Sequence, residues 1–153
     1  MSASPKPDEG CELCRTDGGE VLWQDEFLRV VLVDEPGFPG FSRVILADHF
    51  AEMTDLDGGQ RQRLLEAVWH VERAMRATLA PAKINLASLG NQVPHLHWHI
   101  IPRWRDDSHF PASVWAAPRP SASGPGAGAL AALGALVRYR AAIRAAFATD
   151  RGR

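Results

Sequence analysis

The sequence lacks the features that mark an extracellular or membrane-bound protein. Only two of its 153 residues are cysteines, so a disulfide scaffold is excluded. Its apolar runs, such as those at 30–33 and 44–47, fall far short of the roughly 20 residues that a transmembrane helix needs. Residues 1–10 are polar and proline-rich and contain no apolar segment typical of a secretory signal. These absences predict a cytoplasmic protein that does not associate with membranes.

The sequence also lacks an excess of charge of either sign. The formal net charge is −1, so no overall positive field would recruit nucleic acid, and an anionic substrate would have to be held by local groups. Apolar residues make up 46% of the chain and charged residues 23%, which is typical of a globular protein. The length predicts a single domain over residues 1–153.

The order of the predicted elements indicates an α+β fold with an antiparallel sheet. A central helix begins after Asp57, ends before Pro81 and has an apolar face. A loop over 111–128 precedes an alanine-rich C-terminal helix over 129–148, whose apolar residues are predicted to be Leu130, Leu133, Val137 and Ile143. The five predicted strands are Glu20–Gln24, Phe27–Asp34, Ser42–Ala47, Lys83–Leu89 and His95–Ile101.

Three of the six histidines alternate along the last predicted strand, at positions 95, 97 and 99. Side chains alternate between the faces of a strand, so these three are predicted to share one face while Leu96, Trp98 and Ile100 pack on the core. Imidazole suits nucleophilic or acid–base chemistry near neutral pH. It is also a common metal ligand, and the alternation alone does not distinguish a nucleophile from a ligand.

The run from His95 to Ile101, His-Leu-His-Trp-His-Ile-Ile, fits the signature of the histidine triad family, in which three histidines alternate with apolar residues. The Pro-Arg pair that follows is also similar to the family, and residues 44–49 resemble the strand and turn before the family's central helix. The resemblance covers roughly residues 11–105 and is strongest to bacterial members described as diadenosine polyphosphate hydrolases. It implies a half-barrel sheet of about five strands, and a homodimer formed through the central helices and sheets.

The resemblance also implies an activity, which is a two-step displacement at the α-phosphate of a nucleotide. His97 would be the nucleophile that forms a nucleotidyl-histidine, and His99 would hydrogen-bond the phosphate or the leaving group. No cofactor is required for that chemistry. Asn91 and Gln92 would contact phosphate and Asp34 would bind the ribose hydroxyls; the alternatives are an ordinary polar turn and a turn-initiating aspartate.

The sequence departs from the family pattern at two places near these residues. The family commonly has Gly-His at the entry to the third strand, where this chain has Gly40-Phe41. The turn before the triad is short, and Gln92-Val93-Pro94 replaces the family's usual serine or threonine. Both changes concern the surroundings of the phosphate and leave the nucleophile in place.

Cys11 and Cys14 have the two-residue gap that allows both thiolates to reach one metal ion. Two ligands do not complete a structural site, and a redox or idle thiol pair is the alternative. Some bacterial histidine triad proteins complete a zinc site with a histidine before the central helix and the first histidine of the triad. Those residues are His49 and His95 here, so the resemblance implies a structural zinc ion.

The sequence therefore predicts a hydrolase or nucleotidyl transferase that cleaves a phosphoanhydride or phosphoramidate bond, such as that of a dinucleoside polyphosphate or a nucleoside phosphoramidate. Two alternatives remain at this point. One is a nucleotide-binding module without turnover, and the other is a metalloenzyme that uses the triad histidines as ligands.

Overall fold

A computed structural model describes residues 5–149, which form a five-stranded sheet and three α-helices. The strands are β1 Glu20–Gln24, β2 Leu28–Leu32, β3 Ser42–Leu46, β4 Lys83–Ala87 and β5 His97–Arg103, and the helices are α1 Glu12–Arg15, α2 Gly58–Leu79 and α3 Ala127–Ala148. A short 3₁₀ turn, Met53–Asp55, precedes α2. The predicted α+β class is confirmed, with α2 as the central helix and α3 as the C-terminal helix.

The strands are ordered β1-β2-β3-β5-β4, and every neighbouring pair is antiparallel. In the register of β3 and β5, Arg43 lies opposite His99 and Ile45 lies opposite His97. Directly opposed residues of an antiparallel pair point to the same face of the sheet. One face of the sheet therefore contains an arginine and two of the triad histidines.

Helices α2 and α3 cover the other face of the sheet. Val30, Val44 and Ile100 from the three central strands are fully buried against them, and the half-buried Trp98 packs on the same cluster. Tyr139 of α3 lies 2.6 Å from the Ser42 hydroxyl, which in turn donates to the Gly40 carbonyl. This chain of hydrogen bonds satisfies polar groups that would otherwise be buried unpaired.

Helix α2 begins and ends where the sequence predicts. The Asp57 carboxylate accepts a hydrogen bond from the Gln60 N–H, and the Gln60 side chain accepts one from the Asp57 N–H, which is a capping box. The last helical turn is followed by Ala80 in the left-handed conformation and then by Pro81. The apolar face also matches, because Leu64, Val68, Val71 and Met75 are all buried.

Several predicted boundaries are wrong. Strand β5 begins at His97 and continues to Arg103, so His95 and Leu96 precede the strand, although Leu96 still packs on the main core with Trp98 and Ile100. Strand β2 ends at Leu32, before Asp34, and β4 ends at Ala87. The short helix α1 was not predicted. That residues 1–153 form a single domain stays a prediction. Residues 1–4 and 150–153 lie outside the described residues.

The apolar face predicted for the C-terminal helix is also wrong. Leu130, Leu133 and Val137 are exposed, whereas Ile143 is buried as expected. The buried residues of α3 are Ala129, Ala132, Ala135, Tyr139, Ile143 and Phe147. The buried face therefore combines alanines in the first half of the helix with larger side chains in the second half, and Leu130 and Leu133 remain outside it.

Residues 5–149 contain no helix with both the length and the hydrophobicity needed to cross a membrane.

Candidate active site and metal cluster

His97 and His99 lie on the sheet face that α2 and α3 leave uncovered. Both side chains are buried, and their ring centroids are 4.9 Å apart. Nδ1 of His97 lies 2.6 Å from the carbonyl oxygen of His95. A carbonyl can only accept, so Nδ1 carries the proton in this geometry and the Nε2 lone pair is free. His97 is therefore oriented as a nucleophile or a base through Nε2.

The surroundings of these histidines favour their neutral forms. Burial lowers the pKa of His97, and the charge of Arg43 acts in the same direction. Burial, together with His97 and Arg43, lowers the pKa of His99 to about 3. Neutral imidazole is the nucleophilic form.

Two aromatic side chains flank His99. The buried ring of Phe41 meets it edge-on at 5.8 Å between centroids, and Trp115 meets it at 5.1 Å. Trp115 is 52% exposed, so a large part of its indole faces solvent next to the histidine. Nδ1 of His99 is buried and has no hydrogen-bond partner among residues 5–149. This side of the site thus combines an apolar wall, an exposed aromatic ring and an unpaired polar atom.

A cavity of about 360 Å³ adjoins His97. It lies between residues 51–54, before α2, and residues 88–90, after β4. A larger cavity of about 1090 Å³ lies between β1 and α2 and contains neither His97 nor His99. Arg63 in its lining already pairs with Asp25 and Glu26. Of these two cavities, only the smaller one therefore adjoins His97, the residue predicted to be the nucleophile.

The three residues predicted to bind substrate lie in exposed loops. Asp34 follows Val33, whose N–H donates to the Phe41 carbonyl, so Asp34 lies at the end of the sheet nearest Phe41. Asn91 and Gln92 lie in the turn between β4 and β5, next to Gly90, whose φ is +78°. No hydrogen bond within residues 5–149 holds these three side chains, so their orientation in the absence of substrate is not set by the fold.

Cys11, Cys14, His49 and His95 form a second cluster at the start of β5. Their potential ligand atoms all lie within 4.8 Å of one another, although Cys11 and His95 are 84 residues apart in the sequence. Nδ1 of His95 lies 3.5 Å from both sulfur atoms, and Nδ1 of His49 lies 3.4 Å from the Cys14 sulfur. The four side chains could bind a metal ion.

The donor set and its geometry fit a tetrahedral metal site. Metal–sulfur and metal–nitrogen bonds of about 2.3 and 2.0–2.1 Å place adjacent sulfur and nitrogen ligands roughly 3.5 Å apart. The Nε2–H group of His95 donates to the Leu46 carbonyl at 2.8 Å, which directs the Nδ1 lone pair at the sulfur atoms. Nε2 of His49 lies 3.9 Å from Asp8. An outer hydrogen bond like that of His95 is typical of metal-binding histidines, whereas the contact between His49 and Asp8 is too long to be a hydrogen bond.

Arg103, Asp107 and Asn85 form a buried polar network beneath the loop that carries Trp115. The guanidinium of Arg103 donates two hydrogen bonds to Asp107, at 2.8 and 3.0 Å, and one to Asn85. Asp107 also accepts from the backbone N–H groups of Trp104, His109 and Phe110. Arg103 and Asp107 are 2% and 1% exposed. This network fixes the chain between β5 and Trp115.

We expect Asp107→Asn to lower the free energy of unfolding by about 3–5 kcal/mol, because it leaves the buried Arg103 charge unpaired. Burial raises the pKa of Asp107, but hydrogen bonds from Arg103, His109 and Phe110 outweigh burial, so that the pKa is lowered overall. The carboxylate therefore stabilises the fold above its unfolded-state pKa, and this contribution is lost as the pH falls through the lower pKa of the folded state.

Urea unfolding at pH 7 and at several acidic pH values measures both effects. Asp106→Asn is the matched control, because Asp106 is exposed and, among residues 5–149, accepts a hydrogen bond only from the Ala127 N–H at the start of α3. An Asp107→Asn protein as stable as the Asp106→Asn protein would contradict the role assigned to the network.

Arg43, Trp115 and Asp107 were not predicted from the sequence as parts of the site. Arg43 had a detectable signal, since it is a charged residue in a strand that otherwise reads as buried, Val44-Ile45-Leu46. Trp115 and Asp107 follow β5 in an irregular segment, where no periodicity indicates what a side chain contacts.

Comparisons with known proteins agree with this fold. A model of the HIT domain matches residues 17–106. The chain is 27% identical over 116 residues to "Protein hit" of Bacillus subtilis (strain 168), covering 70% of this chain and 79% of the relative.

Solved structures of histidine triad proteins are also similar. One from Bradyrhizobium japonicum has a TM-score of 0.61 at 25% identity, covering 84% of this chain and 90% of its own. One from Marinobacter aquaeolei VT8 also has a TM-score of 0.61, at 24% identity, with coverage of 90% and 94%; at that identity the likeness concerns the fold. Because the HIT domain model matches more than half of the chain, this protein belongs to the HIT domain family.

Proposed function

We propose that this protein is a hydrolase or nucleotidyl transferase that cleaves a phosphoanhydride or phosphoramidate bond at the α-phosphate of a nucleotide. HIT domain membership is consistent with nucleotide binding and with hydrolase or transferase activity in general. The observation that carries the finer proposal is the 2.6 Å hydrogen bond between Nδ1 of His97 and the His95 carbonyl. It leaves Nε2 of a neutral imidazole free to attack phosphorus.

In the proposed first step, a bond forms between Nε2 of His97 and the α-phosphorus as the bond from phosphorus to the leaving group breaks. The leaving group departs with the electron pair and takes up a proton. In the second step, water or another acceptor displaces the imidazole, which yields a nucleoside monophosphate or its ester and regenerates His97. Splitting the reaction in this way replaces one difficult displacement by two easier ones.

His99 is proposed to assist by hydrogen bonding. Its ring lies 4.9 Å from that of His97, which is a suitable distance for contact with a group bound to the same phosphorus. As a neutral imidazole it has one N–H to donate, either to a non-bridging oxygen or to the leaving group. Donors aimed at developing negative charge typically accelerate such reactions by about 10²–10³-fold.

Asp34, Asn91 and Gln92 keep the roles proposed from the family resemblance, with Asp34 on the ribose hydroxyls and the two amides on phosphate. Their exposure is compatible with side chains that become ordered on the substrate.

The metal is proposed to be zinc, bound by Cys11, Cys14, His49 and His95. A set of two thiolates and two imidazoles leaves no open position for water, so the ion would support the structure and not the chemistry. Within residues 5–149, this is the one group of three or more such ligands whose donor atoms converge, and His97 and His99 are not in it. That division speaks against the alternative in which all three triad histidines bind a metal.

Two further expectations stay predictions. Formation of a homodimer is compatible with β4, which is an edge strand with the exposed Leu86. A cytoplasmic location is compatible with the two free cysteines, since a reducing compartment keeps thiols available as ligands.

A hydrolysis screen over dinucleoside polyphosphates and nucleoside phosphoramidates, with both adenine and guanine bases, tests the proposal. We expect release of a nucleoside monophosphate from at least one of these two classes of compound. In ¹⁸O-labelled water, its phosphate should incorporate ¹⁸O. Binding of the compounds without turnover would contradict the proposal in favour of a nucleotide-binding module.

A further inference from the structure

Arg43 is a charged residue at the centre of the histidine face. It lies in β3 between two other strands, opposite Val31 of β2 and His99 of β5. Opposed Cβ atoms in such a pair are about 4.5–5.5 Å apart, and the diagonal neighbour, His97, is within reach of a long side chain. The half-buried guanidinium therefore shares its surroundings with both histidines.

The charge of Arg43 has no counter-ion among the described residues. Its Nε atom is buried without a hydrogen-bond partner, and no carboxylate of residues 5–149 forms a salt bridge with it. Glu12 and Glu35 influence it only electrostatically. Arg29, on the neighbouring strand, has the partners that Arg43 lacks. Its guanidinium donates to the carbonyls of Leu13, Thr16 and Asp17.

The unpaired Nε has a counterpart across the strand pair. Nδ1 of His99 is also buried without a partner, and His99 is the residue directly opposite Arg43. Buried polar atoms are nearly always hydrogen-bonded, so two such atoms on facing residues indicate a missing polar group. Because an arginine can only donate and carries a positive charge, the group that fits is an anion with several acceptor oxygens.

We propose that Arg43 binds the α-phosphate of the substrate and neutralises the charge on its non-bridging oxygens while His97 attacks phosphorus. This inference rests on the proposed function, and it adds the residue that supplies positive charge to a site otherwise formed by neutral imidazoles. Phe41 is a buried apolar residue on the same face, two positions before Arg43. Its side chain offers the anion no hydrogen bond, so it does not compete with Arg43 for the phosphate oxygens.

Calorimetric titration with AMP and GMP, and with adenosine and guanosine as phosphate-free controls, tests the proposal. Arg43→Gln should weaken binding of the tighter nucleotide by about 10–100-fold, the amount expected for a hydrogen bond to a charged group, and leave nucleoside binding unchanged. Arg43→Lys should retain much of the affinity. Arg138→Gln, which removes an exposed arginine of α3, is the control for net charge and should bind like the wild type.

Thermal unfolding separates binding from a structural role. Because Nε makes no hydrogen bond in the fold, the Arg43→Gln protein should be at least as stable as the wild type. A less stable variant, or an equal loss of nucleotide and nucleoside binding, would assign Arg43 a structural role and overturn the inference. If Arg43→Gln binds nucleotides as tightly as the wild type does, the role of Arg43 would be overturned, but the proposed function would not. A wild-type protein that binds neither nucleotide would overturn it together with the proposed function.

Discussion

Replacing His97 by asparagine is expected to reduce turnover by about 10⁴-fold or more, the size of loss seen when the nucleophile of a covalent mechanism is removed. Asparagine preserves a donor for the His95 carbonyl, which His97 contacts through Nδ1, but has no imidazole lone pair to attack phosphorus. The fold should be unaffected, because β5 keeps its backbone pairing with β3 and β4. Steady-state hydrolysis and urea unfolding measure the two expectations.

His99→Asn is the matched control for the nucleophile. It removes the neighbouring imidazole of the same strand but leaves Nε2 of His97, so it should slow turnover without preventing the covalent step. Rapid mixing with radiolabelled substrate followed by a base quench should trap nucleotide on the wild type and on His99→Asn, but not on His97→Asn. Turnover of His97→Asn near the wild-type rate, or labelling of a residue other than His97, would refute the mechanism.

Removing the metal should have the second large effect. We expect one zinc ion per chain in protein purified without chelator, and loss of that ion in Cys11→Ser. A ligand present at about 1,000 times its dissociation constant stabilises the folded state by roughly 4 kcal/mol, and this stabilisation should disappear with the metal. The loss should be localised, because Cys11 and Leu13 pack on Val31 and Ile45 in a small cluster separate from the main core.

Glu12→Gln is the control for the metal site, because Glu12 is exposed and lies between the two cysteines without being a ligand in the cluster. It should retain the metal and the stability of the wild type. Metal analysis and thermal unfolding provide the measurements. Some activity should remain in Cys11→Ser, reduced because His95 both joins the cluster and holds His97 through its carbonyl. Metal-free protein of full stability would contradict the prediction.

Local signals were sufficient for the helices and strands with strong periodicity. The limits of α2 follow from Asp57 and Pro81, and the buried face follows from apolar residues at helical spacing, because caps and amphipathic faces are local properties of the chain. The face of α3 was mispredicted since burial there depends on the partner helix. Hydrophobicity alone favoured Leu130, Leu133 and Val137, which the structure leaves exposed, whereas the smaller Ala129, Ala132 and Ala135 are buried.

The sequence by itself determined the chemical repertoire of the protein: imidazoles in alternation, two thiols separated by two residues, and no net positive field. Only the tertiary structure decided how these groups are divided. It places His95 before β5, where its ring joins Cys11, Cys14 and His49 and its carbonyl orients His97. It also brings Arg43 opposite His99. Such pairings depend on strand order and register between segments distant in sequence, which are set by packing of the whole sheet on α2 and α3 and not by any local pattern.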